Sequence, residues 1–140
     1  MKVLVATDGS ENSLKAVSRA LELAEKEGAK VTLMSVAFYS KDDFDDMPPN
    51  IQDKLEDQAA AALKKAKAIF DEKGIAVETV LEAGVVPANN IIKRAKDGKF
   101  DRIIMGSTGM TGLTGLERAL MGSTAAKVVG NAPCSVSIIR

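Results

Sequence analysis

The chain of 140 residues contains no histidine, no tryptophan and a single cysteine, Cys134. Without histidine it cannot assemble a Ser-His-Asp or Cys-His nucleophile system from its own residues, nor a histidine-ligated metal. One cysteine permits neither an intrachain disulfide nor a thiolate zinc cluster. Cys134 has no adjacent cation to lower its pKa, so a buried and inert thiol is expected. An excess of charge is also missing, because nineteen Lys and Arg balance nineteen Asp and Glu. Nucleic-acid surfaces need clustered basic residues, so a polyanion groove is not expected, although a local phosphate pocket is compatible with neutrality. No apolar run approaches the ~20 residues of a membrane-spanning helix. The opening Met1-Lys2-Val3-Leu4-Val5-Ala6-Thr7-Asp8 meets a carboxylate too early for a secretory signal. The expectation is a soluble protein of the cytoplasm.

What is present is one domain's worth of core, spanning residues 1–140. A chain of this length buries about 70% of the surface its unfolded form exposes, enough without covalent staples. Short apolar runs alternate with stretches of helical period. Lys2 to Ala6, Val31 to Ala37, Ile75 to Leu81, Arg102 to Met105 and Ser135 to Ile139 read as strands. Between the first two, Leu14, Val17, Leu21 and Ala24 fall at helical spacing, with Ser10 as cap and Gly28 as stop. Leu55, Ala59, Ala62, Ala66 and Ile69 mark a second helix ended by Gly74. Pro87 opens a third, stopped by Gly98. Leu116, Ala119, Leu120, Ala126 and Val129 mark a fourth, closed by Gly130. Strands separated by helices imply a doubly wound α/β domain, a parallel sheet with helices on both faces. The remaining stretch, Tyr39 to Asp53, carries Asp42, Asp43, Asp45, Asp46 and Pro48-Pro49. It reads as a solvated loop, since it lacks the glycine and final Glu of a calcium loop.

In open parallel sheets ligands bind beyond the carboxyl ends of the strands, where strand order reverses. The first strand leaves through Ala6-Thr7-Asp8, which sets a carboxylate at that lip. The fourth leaves through Met105-Gly106, and glycine then recurs at every third position through Gly109, Gly112 and Gly115. Gly122-Ser123-Thr124 follows. Glycines allow close backbone approach, hydroxyls add donors, and a helix start supplies unpaired amides. These are the parts of a phosphate cradle built without lysine; a plain chain reversal would use the same glycines. Neither G-x-x-x-x-G-K-[ST] nor a G-x-G-x-x-G after the first strand is present. The segment Asp8-Gly9-Ser10-Glu11-Asn12-Ser13 departs from the S-G-G-x-D-S loop of ATP pyrophosphatases.

Four segments together resemble the universal stress protein family over the whole chain. They are Val3-Leu4-Val5-Ala6-Thr7-Asp8-Gly9-Ser10, Met105-Gly106-Ser107-Thr108-Gly109, Gly122-Ser123, and Asn131-Ala132-Pro133-Cys134-Ser135-Val136. The resemblance implies a five-stranded sheet of order 3-2-1-4-5 and a homodimer formed through the last strand. Its ATP-binding branch carries G-x2-G-x9-G-[ST]. Counted from Gly106 and Gly109, twelve residues precede Gly122; counted from Gly109 and Gly112, nine do. The surplus looks like a tandem triplet, Thr111-Gly112-Leu113 repeated as Thr114-Gly115-Leu116.

By resemblance, Asp8 and Val36 lie near the adenosine, with Val36 against the base, and Ala6 and Thr7 belong to the same strand exit. Met105, Gly106 and Gly109 line the ribose side, Gly112 is the alternative loop glycine, and Gly122, Ser123 and Thr124 hold the triphosphate. Each also has a plainer role: Val36 and Met105 as core, Asp8 as a helix cap, Ser123 as a small residue inside a helix. The implied ligand is ATP, with magnesium held mainly by phosphates and water. The implied function is a regulatory, stress-responsive binding module with a protein partner and no catalytic residues. Two alternatives stay open: a nucleotide-free protein acting through its dimer surface, and slow ATP hydrolysis or self-phosphorylation on Ser123, Thr124 or Thr108.

Overall fold

A computed structural model of the chain describes residues 1–39, 48–108 and 121–140. Five strands, β1 (Lys2–Ala6), β2 (Lys30–Ala37), β3 (Glu78–Ala83), β4 (Arg102–Gly106) and β5 (Ser135–Ile139), form one sheet. All neighbours pair in parallel, in the order β3-β2-β1-β4-β5. Four described helices connect them: α1 (Glu11–Glu27), α2 (Pro49–Glu72), α3 (Pro87–Asp97) and α4 (Ser123–Asn131).

The middle of β1 is wholly apolar. Val3, Leu4 and Val5 of β1 have no solvent exposure, and each such side chain contributes about 1.5–3 kcal/mol on burial. Strand alternation sends Val3 and Val5, with Val31, Leu33 and Ile104, under α1 and α2. It sends Leu4, Met34, Ile103 and Met105 to the opposite face, under α3 and α4. A strand covered on both sides has no polar face, which is why β1 reads as a continuous run.

Helix ends follow local chemistry. The Ser10 side chain accepts the Ser13 N–H at the start of α1, and Gly28 ends that helix at φ 67°, where its N–H caps the last turn. Pro87 occupies the first turn of α3, whose missing N–H costs nothing there.

Three expectations need correction. The third strand begins at Glu78 rather than Ile75. After Gly74 (φ 67°), the Ile75 N–H still closes onto Phe70 O of α2, so Ile75 and Val77 are a connector. Their apolar alternation reflects packing against the α1–α2 core, not a ladder. Second, Pro48-Pro49 does not extend the loop to Asp53. Proline is tolerated in a first helical turn, so α2 starts at Pro49 and takes in residues 49–53. Third, Gly130 does not close the last helix. It lies inside α4, which runs to Asn131 and stops before Pro133. Residues Leu116, Ala119 and Leu120, assigned to that helix from sequence, lie outside the described residues, as do Asp42, Asp43, Asp45 and Asp46.

Candidate functional site

Strand order reverses between β1 and β4, and the exits of those two strands are tied to each other through α1. Thr7 Oγ1 and Ser13 Oγ share a hydrogen bond of 2.9 Å. The Gly9 N–H donates to Thr7 Oγ1 and the Ser10 N–H to Asp8 Oδ1. Asp8 therefore supports the turn into α1, while the cap itself is Ser10. On the β4 side the Thr108 N–H donates to Asn12 Oδ1 at 3.0 Å, and the Gly122 N–H to Ser107 O at 2.7 Å. The second bond seats the start of α4 directly on the exit of β4.

Above this seam lies a cavity of about 520 Å3, within the size range of small-molecule sites. Nine expected residues line it: Ala6, Thr7, Asp8, Val36, Met105, Gly106, Gly122, Ser123 and Thr124. Gly109 and Gly112 lie outside the described residues. Val36 is half-buried and packs partly on the α3–α4 core; Met105 is buried there yet still reaches the cavity. Ser123 is the first residue of α4 and exposed, not a helix-interior residue.

Other lining residues escape sequence reasoning. Leu55, Gln58 and Ala59 of α2 form one wall; Leu55 and Ala59 read only as a core stripe, and nothing in their spacing says the stripe ends at a hole. Phe38, Pro87 and Ile91 complete the other side. At the exit of the second strand the sequence points to Val36 alone, and Phe38, two residues further on, is not among the expected residues.

Two sets of main-chain groups face the cavity without helical or ladder partners. A residue in a parallel ladder turns its N–H and C=O toward one neighbour, and the next residue turns toward the other. The Thr7 N–H bonds Met34 O and the Gly84 N–H bonds Ala37 O, each at 2.9 Å, so Met34 faces β1 and Ala37 faces β3. Val36 then faces the β1 side, but β1 pairing ended at Ala6 opposite Met34. Among the described residues no main-chain group bonds Val36 there. The second set is the start of α4. The Ala126 N–H is the first to bond back, to Gly122 O. The amides of Ser123, Thr124 and Ala125 have no acceptor within the helix, and Gly122 has no side chain to cap them.

Asp8 is the only charged residue among the described lining. Among the described residues no three metal-ligating side chains stand together. No described helix is long and apolar enough to cross a membrane. Cys134 lies away from the cavity and is half-buried; burial, then the nearby Asp101 carboxylate, pushes its thiol pKa up.

Comparison with known proteins gives one answer. The model of the universal stress protein family matches residues 1–140. A universal stress protein of Methanocaldococcus jannaschii is 38% identical, over 99% of this chain and 81% of its own. A protein solved as a test case of structural genomics superposes with TM-score 0.83 at 26% identity, covering 99% of this chain and 94% of that one. A universal stress protein solved in complex with cAMP superposes with TM-score 0.69 at 26% identity, covering 100% and 96%.

Proposed function

Because the chain belongs to the universal stress protein family, we propose that it is an adenine-nucleotide-binding module, with ATP as its ligand, whose occupancy regulates a protein partner in the cytoplasm. One observation carries this reading. A single cavity joins the unpartnered main chain of Val36 to the uncapped start of α4 at Gly122, Ser123 and Thr124. Adenine offers a donor amino group beside an acceptor nitrogen on one edge, the complement of a strand's C=O and N–H. At the other end, free amides and the positive pole of a helix suit phosphate oxygens.

The intervening residues fit a ribose. Ala6 and Met105 provide apolar walls, Thr7 and the Asp8 carboxylate provide polar groups, and Gly106 leaves room for the chain to come close. In this reading Gly109 belongs to the ribose side and Gly112 is the alternative loop glycine. Magnesium brought in by ATP would rest on phosphate oxygens and water, with Asp8 the only described carboxylate within the cavity. The related protein solved with cAMP supports the ligand class.

Binding rather than turnover is favoured by the lining. Transfer of a phosphoryl group draws on positive charge aimed at its oxygens, and no Lys or Arg lines the cavity among the described residues. In the same reading two copies pair through β5, whose outer edge closes the sheet order and carries half-buried Val136, Ile138 and Ile139. Light scattering is then expected to give twice the chain mass.

Titration calorimetry with ATP and AMP tests the ligand, with a dissociation constant below millimolar expected. Mass spectrometry of whatever the purified protein releases on denaturation is expected to find an adenine nucleotide. Absence of binding heat up to millimolar nucleotide, together with no released ligand, overturns the reading.

A further inference from the structure

The geometry points to Phe38 as the side chain that covers the flat face of the bound base and so favours a nucleotide over a bare sugar or phosphate; this rests on the nucleotide reading above. Phe38 lies two residues beyond Val36, past the end of β2, and lines the same cavity. It is 63% exposed, the most exposed large apolar side chain among the described residues. Its neighbours are the opposite. Ala37 and Tyr39 are 2% and 1% exposed, and Ala37 O accepts both the Tyr39 N–H and the Gly84 N–H at 2.9 Å. The Tyr39 hydroxyl in turn hydrogen-bonds Glu56 of α2.

Phe38 is thus held at both flanks while its ring stays in solvent. An exposed ring on a fixed backbone retains little freedom to lose on stacking, and its apolar face gains on being covered. The ring follows Met34 and Val36 outward, a series that goes from buried through half-buried to exposed, that is, from cavity floor to rim. A base whose edge meets the Val36 main chain presents its face to that rim. On the adjoining side Pro87 and Ile91 of α3 line the same cavity. A flat aromatic ligand fits between apolar groups of this kind better than a sugar or a free phosphate does. Base–aromatic stacking is worth enough to change affinity by roughly tenfold or more.

The test titrates AMP into the wild-type protein, Phe38→Ala and Phe38→Trp. Phe38→Ala is expected to bind AMP about tenfold more weakly with its thermal unfolding unchanged, since the ring it removes is mostly in water. Phe38→Trp is expected to keep wild-type affinity. Because the chain has no other tryptophan, quenching of the introduced indole by AMP reports stacking directly. Two results overturn the assignment: Phe38→Ala binding AMP within twofold of wild type, or indole emission unmoved at saturating AMP. A wild-type protein that binds neither AMP nor ATP and releases no nucleotide on denaturation defeats the nucleotide reading itself, and the role of Phe38 with it, so the two failures are told apart by the wild-type protein alone.

Discussion

Gly106 and Asn12 stand so close that a Cβ built on Gly106 would meet Asn12 Oδ1 at 2.3 Å, and that same oxygen accepts the Thr108 N–H at 3.0 Å. Glycine is required at the end of β4 because α1 presses an amide against it, not because of an unusual φ. Gly106→Ala must push Asn12 aside and release Thr108. A loss of about 1–3 kcal/mol in urea unfolding is expected, together with weaker nucleotide binding. In an Asn12→Ala background the same substitution should cost clearly less, since the clashing group is gone. Equal costs in the two backgrounds would show that the contact is not what selects glycine.

Thr124 offers a change whose two effects run in opposite directions. It sits in the first turn of α4, where a carboxylate favours the helix by about 0.3–1 kcal/mol. The same carboxylate would occupy the proposed phosphate end of the cavity. Thr124→Asp should therefore raise the urea midpoint slightly and weaken ATP binding by roughly tenfold or more, with adenosine affected far less. Unimpaired ATP binding would remove the phosphates from this helix start.

Ser10 caps α1, and Ser10→Ala should lower stability by about 1 kcal/mol. The Asp8 Oδ1 bond to the backbone N–H of residue 10 survives this substitution. Nucleotide affinity should stay within a few-fold of wild type, which calorimetry at constant protein activity can check.

Much of this was readable from residues whose meaning is local. Ser10, Gly28 and Pro87 mark helix ends by their own backbone chemistry, and Val3-Leu4-Val5 announces a strand buried on both faces. The errors fall where tertiary contacts decide. Ile75 and Val77 alternate like a strand, yet they pack as a connector because Gly74 and Phe70 still hold the chain to α2. Gly130 looks like a stop but is accommodated in α4, with open space where its side chain would be. In the cavity, the residues found from sequence leave β1, β2 or β4, or begin α4. Gln58 and Phe38 were missed because their role depends on how α2 and the end of β2 lie over a gap, which no periodicity encodes.

The only tyrosine in the chain supplies an alkaline probe. Its hydrogen bond to Glu56, then burial, pushes the Tyr39 pKa from the ordinary value of 10.0 up to about 12. A folded-state pKa above the unfolded one means the linked stability is whole below pH 10 and is lost as pH rises toward 12. The urea midpoint should fall across that window, and Tyr39→Phe should flatten the fall. Tyrosinate absorbance should titrate near 12 in the native protein and near 10 in denaturant. Coincident titrations in the two states would mean that this phenol does not tie β2 to α2.

β2 continues to Ala37, whereas its ladder with β1 stops at Met34. That stagger, at which the chain turns through Gly9 (φ 82°) into α1 with the Gly9 and Ser10 N–H groups bonded back to Thr7 and Asp8, is an interrupted zipper. Another pair of rungs would knit Val36 into its neighbour and erase the notch altogether. The vacancy in the sheet accompanies the turn into α1 held by Thr7, Asp8 and Ser10, and any variant that straightens Asp8-Gly9 should trade recognition for a more complete ladder.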